Sequence, residues 1–306
     1  MGTPNFAVGI LDRMLQDEHN IVGVITAVDK PAGRGRKLRE SAVKKYAVNK
    51  GLPVLQPKNL KSPNFQKELK LLKANLQVVV AFRMLPKSVW NLPEYGTFNL
   101  HASLLPDYRG AAPIHWAIIN GEEKTGVTTF FIDEKIDTGE MILKKEIVIR
   151  EDETVGELHE RLMVLGAQTV SETLSCIKND SVSTTKQPLI ELKSAPKLYP
   201  NNCKVNWNTS LNKIYNQIRG LDPFPAAWGE IENGNDVIAA KFYAIRKEKI
   251  HHKMATGSII ASKKEIKVAV NGGYIIIDEL KLSGKKKMQA SSLLNGYTLS
   301  SEAKMR

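Results

Sequence analysis

Cysteine is nearly absent from this 306-residue chain, which has only Cys176 and Cys203. One pair is too few for a disulfide framework, and no Cys or His spacing of the kind that holds structural zinc accompanies it. Long apolar stretches are missing as well. Runs such as Val78-Val79-Val80-Ala81-Phe82 fall far short of the roughly 18 residues that a membrane span needs, and no charged-then-apolar opening marks a secretory signal. The chain therefore reads as soluble and cytoplasmic. It also lacks a Gly-x-Gly-x-x-Gly string after a first strand, which argues against a dinucleotide-dependent oxidoreductase. There is no internal repeat, and no low-complexity tract apart from Lys285-Lys286-Lys287.

What is present is the balance of a globular protein, 42% hydrophobic and 25% charged. At roughly 100 to 200 residues per domain, the length suggests two domains. The net charge of +12 is uneven: residues 201–306 carry 17 Lys or Arg against 9 Asp or Glu, so they hold most of the excess. A basic C-terminal third favours a polyanionic partner, because neutralising phosphates drives non-specific nucleic-acid affinity. The plainer reading is a solvated lysine-rich surface.

Up to residue 180, short β-rich runs (21–25, 76–81, 96–100, 127–132 and 141–149) alternate with helical patterns (6–16, 40–50, 62–72, 113–120 and 154–178). That order predicts an α/β domain with a doubly wound, mostly parallel Rossmann-like sheet over residues 1–180. Residues 181–202, aperiodic and containing Pro188, Pro196 and Pro200, read as a linker. Over 203–306, a helix at 211–219 precedes about five short β-rich runs. These suggest a small β-barrel of the oligonucleotide-binding type, with a small sandwich as the alternative. Met1-Gly2-Thr3-Pro4-Asn5-Phe6 reads as the turn that follows a first strand, yet no strand precedes it. The expectation is a sheet lacking its first strand, with Met1 an internal methionine of a longer chain.

In sheets of this kind ligands bind outside the carboxyl ends of the strands. The string Asn99-Leu100-His101 ends one such strand, and alternation puts Asn99 and His101 on one face, where an amide and an imidazole can converge on a carbonyl oxygen. A loop from Ser103 to Gly110 follows, shaped by Pro106, with Arg109 supplying a charge. The Asp137-Thr138-Gly139 turn can return Asp137 to the same crevice. Taken singly, these signals are weak: a strand-end His is often structural, and an Asp-Thr-Gly turn is usually only a turn.

Taken together, five strings resemble the folate-dependent formyltransferases: Gly2-Thr3-Pro4-Asn5-Phe6-Ala7, Asp29 through Gly33-Arg34-Gly35-Arg36-Lys37 to Leu38, His101-Ala102-Ser103-Leu104-Leu105-Pro106, Tyr108-Arg109-Gly110-Ala111-Ala112-Pro113-Ile114, and Asp137-Thr138-Gly139-Glu140-Met141. The resemblance runs over nearly the full length. It implies a catalytic trio of Asn99, His101 and Asp137, and a pocket for the donor 10-formyltetrahydrofolate bordered by Ser103, Leu104, Leu105 and Pro106, with no metal. It further implies that Arg34, Arg36 and Lys37 belong to a basic loop contacting the acceptor stem of initiator methionyl-tRNA, and that the enzyme acts as a monomer. An amino sugar nucleotide as acceptor, or a non-catalytic tRNA- or RNA-binding module, are the alternatives.

Two details complete the reading. The prolines and aromatics of Asp222-Pro223-Phe224-Pro225-Ala226-Ala227-Trp228 are taken as packing, and lysines such as 241, 247, 263, 264, 267 and 285 to 287 as phosphate contacts. Adjacent His251 and His252 would face opposite sides of a strand, so no metal is assigned to them. At Val80-Ala81-Phe82-Arg83-Met84-Leu85-Pro86 the chain departs from the family's glycine-containing string, beside the expected folate pocket.

Overall fold

β-Branched, apolar residues dominate Gln77–Val80, and that strand pairs in parallel with Thr97–His101, Val79 opposite Asn99 and Val80 opposite Leu100. The computed structural model describes residues 1–32, 37–188 and 193–306, with backbone alone at Ala32 and Lys37. The sheet continues through Lys124–Phe131, antiparallel to Thr97–His101, to Met141–Val148. A parallel pair, Val24–Ile25 with Val54–Leu55, lies on the other side.

Met1 and Gly2 run between these two sets of strands. The Gly2 amide donates to the Ile25 carbonyl at 3.0 Å, and the Val80 amide donates to the Met1 carbonyl at 2.9 Å. The central position thus carries two residues beside a neighbour of four. Next to them a cavity of about 600 Å³ is lined by Ile21, Gly23, Ala74, Leu76 and Ile177 among others. Residues of both Val24–Ile25 and Gln77–Val80 line this cavity. The Met1 amine, buried here, is lowered by desolvation to about 5.

The chain divides into two compact units, residues 1–110, 125–147 and 159–194 in one, and 111–124, 148–158 and 195–306 in the other. In the first, helix Asn5–Gln16 buries Phe6, Ala7 and Ile10, the spacing of one helical face. Ser41 and Ser62 cap the helices Ala42–Asn49 and Pro63–Leu71, accepting from the Lys44 and Phe65 amides. The segment expected to be only a basic loop includes a ribbon, Lys30–Ala32 antiparallel to Lys37–Arg39. Pro31 hides this ribbon from a sequence reading, since proline argues against a strand except at an edge.

The second unit holds two antiparallel sheets of five and four strands. Ala227–Asn233 pairs with Asp236–Phe242 around Gly234, whose φ of +63° suits a tight hairpin. Ala227, Gly229 and Ile231 alternate inward. Trp207 meets Phe242 edge to face at 5.4 Å in a core with Ile214, Ile218 and Ile275. Ile245–Glu248, Glu279–Leu282, Met288–Gln289 and Lys304–Met305 are strands beyond the five expected. The first is mostly charged and the last two are only two residues long, so periodicity does not reveal these three.

Candidate active site

The alternation of Thr97–His101 puts Asn99 and His101 on one face at the carboxyl end of the strand, with Asn99 partly exposed and His101 buried. His101 Nε2 lies 2.8 Å from the Tyr108 carbonyl oxygen. A carbonyl only accepts, so Nε2 carries the proton and the ring offers its Nδ1 side to the crevice. Asp137 Oδ2 is 3.8 Å from Nδ1, and the same oxygen accepts from the Gly110 amide at 3.0 Å. The structure thus brings His101 and Asp137 together, but the ring hydrogen bond goes to Tyr108. The Asn99 amide makes no hydrogen bond among the described residues.

Tyr108 and Asp137 both take left-handed backbone conformations, φ +61° and +54°. Such conformations cost about 1 to 3 kcal/mol each and persist only where the surroundings impose them. Here the surroundings are a connected network. Gln187 Nε2 donates to the carbonyls of Asp137 and Gly139, while its Oε1 accepts two bonds from the Arg109 guanidinium, at 2.7 and 3.2 Å. Arg109 is therefore tied into the support of the turn. Gly139 fits because a Cβ there would sit 1.7 Å from the Phe131 carbonyl oxygen.

The loop between them is held from below. Thr128 Oγ1 donates to the Ser103 carbonyl and accepts from the Leu105 amide, and Ser103 Oγ donates to the Asp107 carbonyl at 2.6 Å. Ser103 and Leu105 are fully buried, while Leu104 and Pro106 are partly exposed. Beyond Gln77–Val80, the parallel neighbour of Thr97–His101, come half-exposed Phe82 and exposed Met84. Arg83 is engaged by the carbonyls of Pro57 and Lys58. A flat heterocyclic donor fits this set: apolar side chains at the rim, an amide without a partner, and one free imidazole nitrogen.

Of the loop residues, Arg34 and Arg36 lie outside the described residues, and Lys37 starts the outgoing strand of the ribbon. Its base is fixed by Asp29, which pairs with Lys44 and accepts from Gln56 at 2.8 Å; both bonds hold its carboxyl below the usual range. Tyr108, Thr128 and Gln187 were not singled out from the sequence. Tyr108 sits inside a quoted string, but acts through its carbonyl, which any residue has. Gln187 lies in a stretch read only as linker. Elsewhere, His252 is taken up by the carbonyls of Val270 and Gly273 and stacks on Tyr274 at 4.5 Å. Trp228 is partly buried and donates to the Pro200 carbonyl at 2.8 Å, whereas Phe224, also read as packing, is 78% exposed.

Comparison with known families matches residues 1–174 to the formyl transferase model and residues 197–298 to the formyl transferase C-terminal domain. The chain belongs to the formyl transferase family. This formyl transferase is 56% identical over 306 residues to a protein of Flavobacterium johnsoniae named methionyl-tRNA formyltransferase, covering 100% of the chain and 97% of that protein. It is 47% identical over 311 residues to one of the same name from Bacteroides thetaiotaomicron, again covering 100% and 97%. Among solved structures, an N-formyltransferase from Helicobacter canadensis in complex with folinic acid and dTDP-3-aminofucose superposes with a TM-score of 0.67. It is 21% identical and the match covers 94% of this chain and 97% of that one, a likeness of fold.

Proposed function

We propose that this formyl transferase moves a formyl group from 10-formyltetrahydrofolate to the free amino group of initiator methionyl-tRNA. The single observation that carries the reading is the full-length identity, 47% and 56%, to proteins named for that reaction. The bound donor supplies an electrophilic formyl carbon on N10. Asn99 donates to the oxygen of that carbonyl, as does His101 Nδ1 when the ring carries a second proton as imidazolium, and together they stabilise the oxyanion formed when the amine attacks. Asp137 takes the proton released by the amine, through water, and passes it toward the leaving nitrogen. The amine–carbon bond forms, the carbon–N10 bond breaks, and no metal is needed. One oxyanion donor is worth about 10²- to 10³-fold, and acid–base assistance about 10²- to 10⁴-fold.

In this reading Leu104 and Pro106 border the folate with their side chains, and Ser103 and Leu105 set the backbone of the rim. The basic segment of Arg34, Arg36 and Lys37 meets the acceptor stem. The second unit acts as an oligonucleotide-binding barrel; Lys249, Lys253, Lys263, Lys264, Lys281 and Lys286 are exposed and have no carboxylate within 4.0 Å among the described residues. The catalytic domain then spans 1–180, with the linker at 181–202 and the tRNA-binding domain at 203–306, in a cytoplasmic monomer. The test offers purified protein 10-formyltetrahydrofolate with initiator methionyl-tRNA, elongator methionyl-tRNA and an amino sugar nucleotide in parallel. Formylation confined to the initiator tRNA is expected. Formylation of the sugar alone overturns the acceptor, and formylation of none overturns the catalytic reading.

A further inference from the structure

Phe224 has the largest exposed fraction, 78%, of the exposed large hydrophobic side chains among the described residues, yet the backbone around it is held on every side. Its own carbonyl accepts from His115 Nε2 at 3.2 Å, and the Pro225 carbonyl accepts from Lys241 Nζ at 2.9 Å. The Ala226 amide donates to the Leu221 carbonyl at 2.9 Å, and the Asp222 carbonyl accepts from the Gly156 amide at 3.1 Å. Leu221 and Ala226, on either side, are buried at 0% and 2%. Pro223 and Pro225 restrict the backbone further. A fixed loop therefore presents a bare ring.

Scattered exposed apolar residues are ordinary. This one differs in its mounting and its neighbours. The ring takes no part in an aromatic or cation–π pair among the described residues, while Lys241 is anchored one residue away and Lys287, paired with Glu279, is close enough to Asp222 to act on its charge. A pre-positioned aromatic face beside lysines is the arrangement that holds single-stranded nucleic acid: bases stack on the ring and cations take the phosphates. We propose that Phe224 is a stacking platform for an unpaired base of the RNA acceptor. This rests on the tRNA reading above. A flat base needs only a π-face, so the platform supplies affinity without reading sequence.

The experiment measures equilibrium binding of initiator methionyl-tRNA to the full-length protein by fluorescence anisotropy, for wild type, Phe224→Ala and Phe224→Trp. An aromatic stack of this kind predicts about a tenfold rise in Kd for the alanine variant and restoration by tryptophan. The melting temperature should be unchanged, because the ring is exposed. A set of tRNAs with single abasic positions in the unpaired 3′ end completes the test. One abasic position should weaken wild type and leave the alanine variant no weaker than it already is. Unchanged affinity in Phe224→Ala, or no rescue by tryptophan, overturns the proposal. So does a Phe224-dependent self-association in sedimentation with tRNA affinity intact. Tight, Phe224-dependent binding without any formylation sustains the platform and instead overturns the catalytic reading.

Discussion

Replacing Asp137 by asparagine removes one negative charge while keeping an oxygen that can accept from the Gly110 amide, now at 3.0 Å from Oδ2. The turn should stay in place, because Gln187 holds it through the carbonyls of Asp137 and Gly139, at 3.0 and 2.8 Å. What is lost is a proton acceptor 3.8 Å from His101 Nδ1. Loss of general acid–base assistance costs about 10²- to 10⁴-fold in rate. Asp137→Ala removes the accepting oxygen too. Leaving the Gly110 amide without a partner costs about 1 to 3 kcal/mol, which for a domain of this size lowers the melting temperature by about 2 to 4 °C per kcal/mol. The two variants should therefore match in kcat and differ in Tm. The assay pairs steady-state formyl transfer at saturating donor with thermal denaturation. An Asp137→Asn enzyme keeping more than about a tenth of wild-type kcat would refute the proton role, since even the low end of the range demands about a hundredfold loss.

Gly139→Ala forces a Cβ to within 1.7 Å of the Phe131 carbonyl oxygen, a backbone atom that cannot swing aside. Activity should fall at least tenfold even though the chemistry-bearing side chains are unchanged, and wild-type kcat in that variant would refute the positioning argument. Gln187→Ala, which strips two carbonyls and Arg109 of their partner, should lower Tm by several degrees and kcat by about tenfold, at roughly 1 kcal/mol per lost bond. Thr154 and Glu157 cap the helix Val155–Lys178 reciprocally, Thr154 N–H to Glu157 Oε2 at 2.8 Å and Glu157 N–H to Thr154 Oγ1 at 3.3 Å. Thr154→Ala should cost about 1 kcal/mol at pH 7. The backbone and hydroxyl of Thr154 hold the Glu157 carboxyl below its ordinary value, so its stabilisation is present above the unfolded pKa and fades as pH falls through the folded one. An equal Tm loss at about pH 3 and pH 7 would contradict that link. Neutralising the six exposed, carboxylate-free lysines should flatten the fall of tRNA affinity with salt, by about 0.9 in log–log slope for each phosphate contact removed. An unchanged slope would show that they do not meet phosphate.

The parts of the fold written in local chemistry were legible. Apolar β-branched runs around Val78 and Phe98 gave the central strands, and the spacing of Phe6, Ala7 and Ile10 gave the first helix. Period-two alternation placed Asn99 and His101 on one face, as the structure does. The partners of these residues were not legible, because they come from distant chain positions and act through groups with no sequence signature. The Tyr108 carbonyl is generic, and Gln187 stands 50 residues after Asp137, in an aperiodic stretch. Proline misled twice. Pro31 sits in an edge ribbon that its residue type argues against, and the proline-flanked Phe224, read as packing, turns its ring to solvent. In both cases the paired backbone decides the conformation and leaves the side chain free for another use.

The hydrogen bond from His101 Nε2 to the Tyr108 carbonyl at 2.8 Å has a consequence for how protons travel. A relay residue must accept on one nitrogen and release from the other, and release requires something on the far side that can take a proton. A peptide carbonyl is far too weak a base for that. The imidazole is thus a cul-de-sac: it can lend or borrow a proton at Nδ1 but cannot conduct one across the ring. In the proposed mechanism, traffic between the attacking amine and the leaving nitrogen would then pass along the outside, by water and the Asp137 carboxylate, leaving the ring to act as a fixed pole.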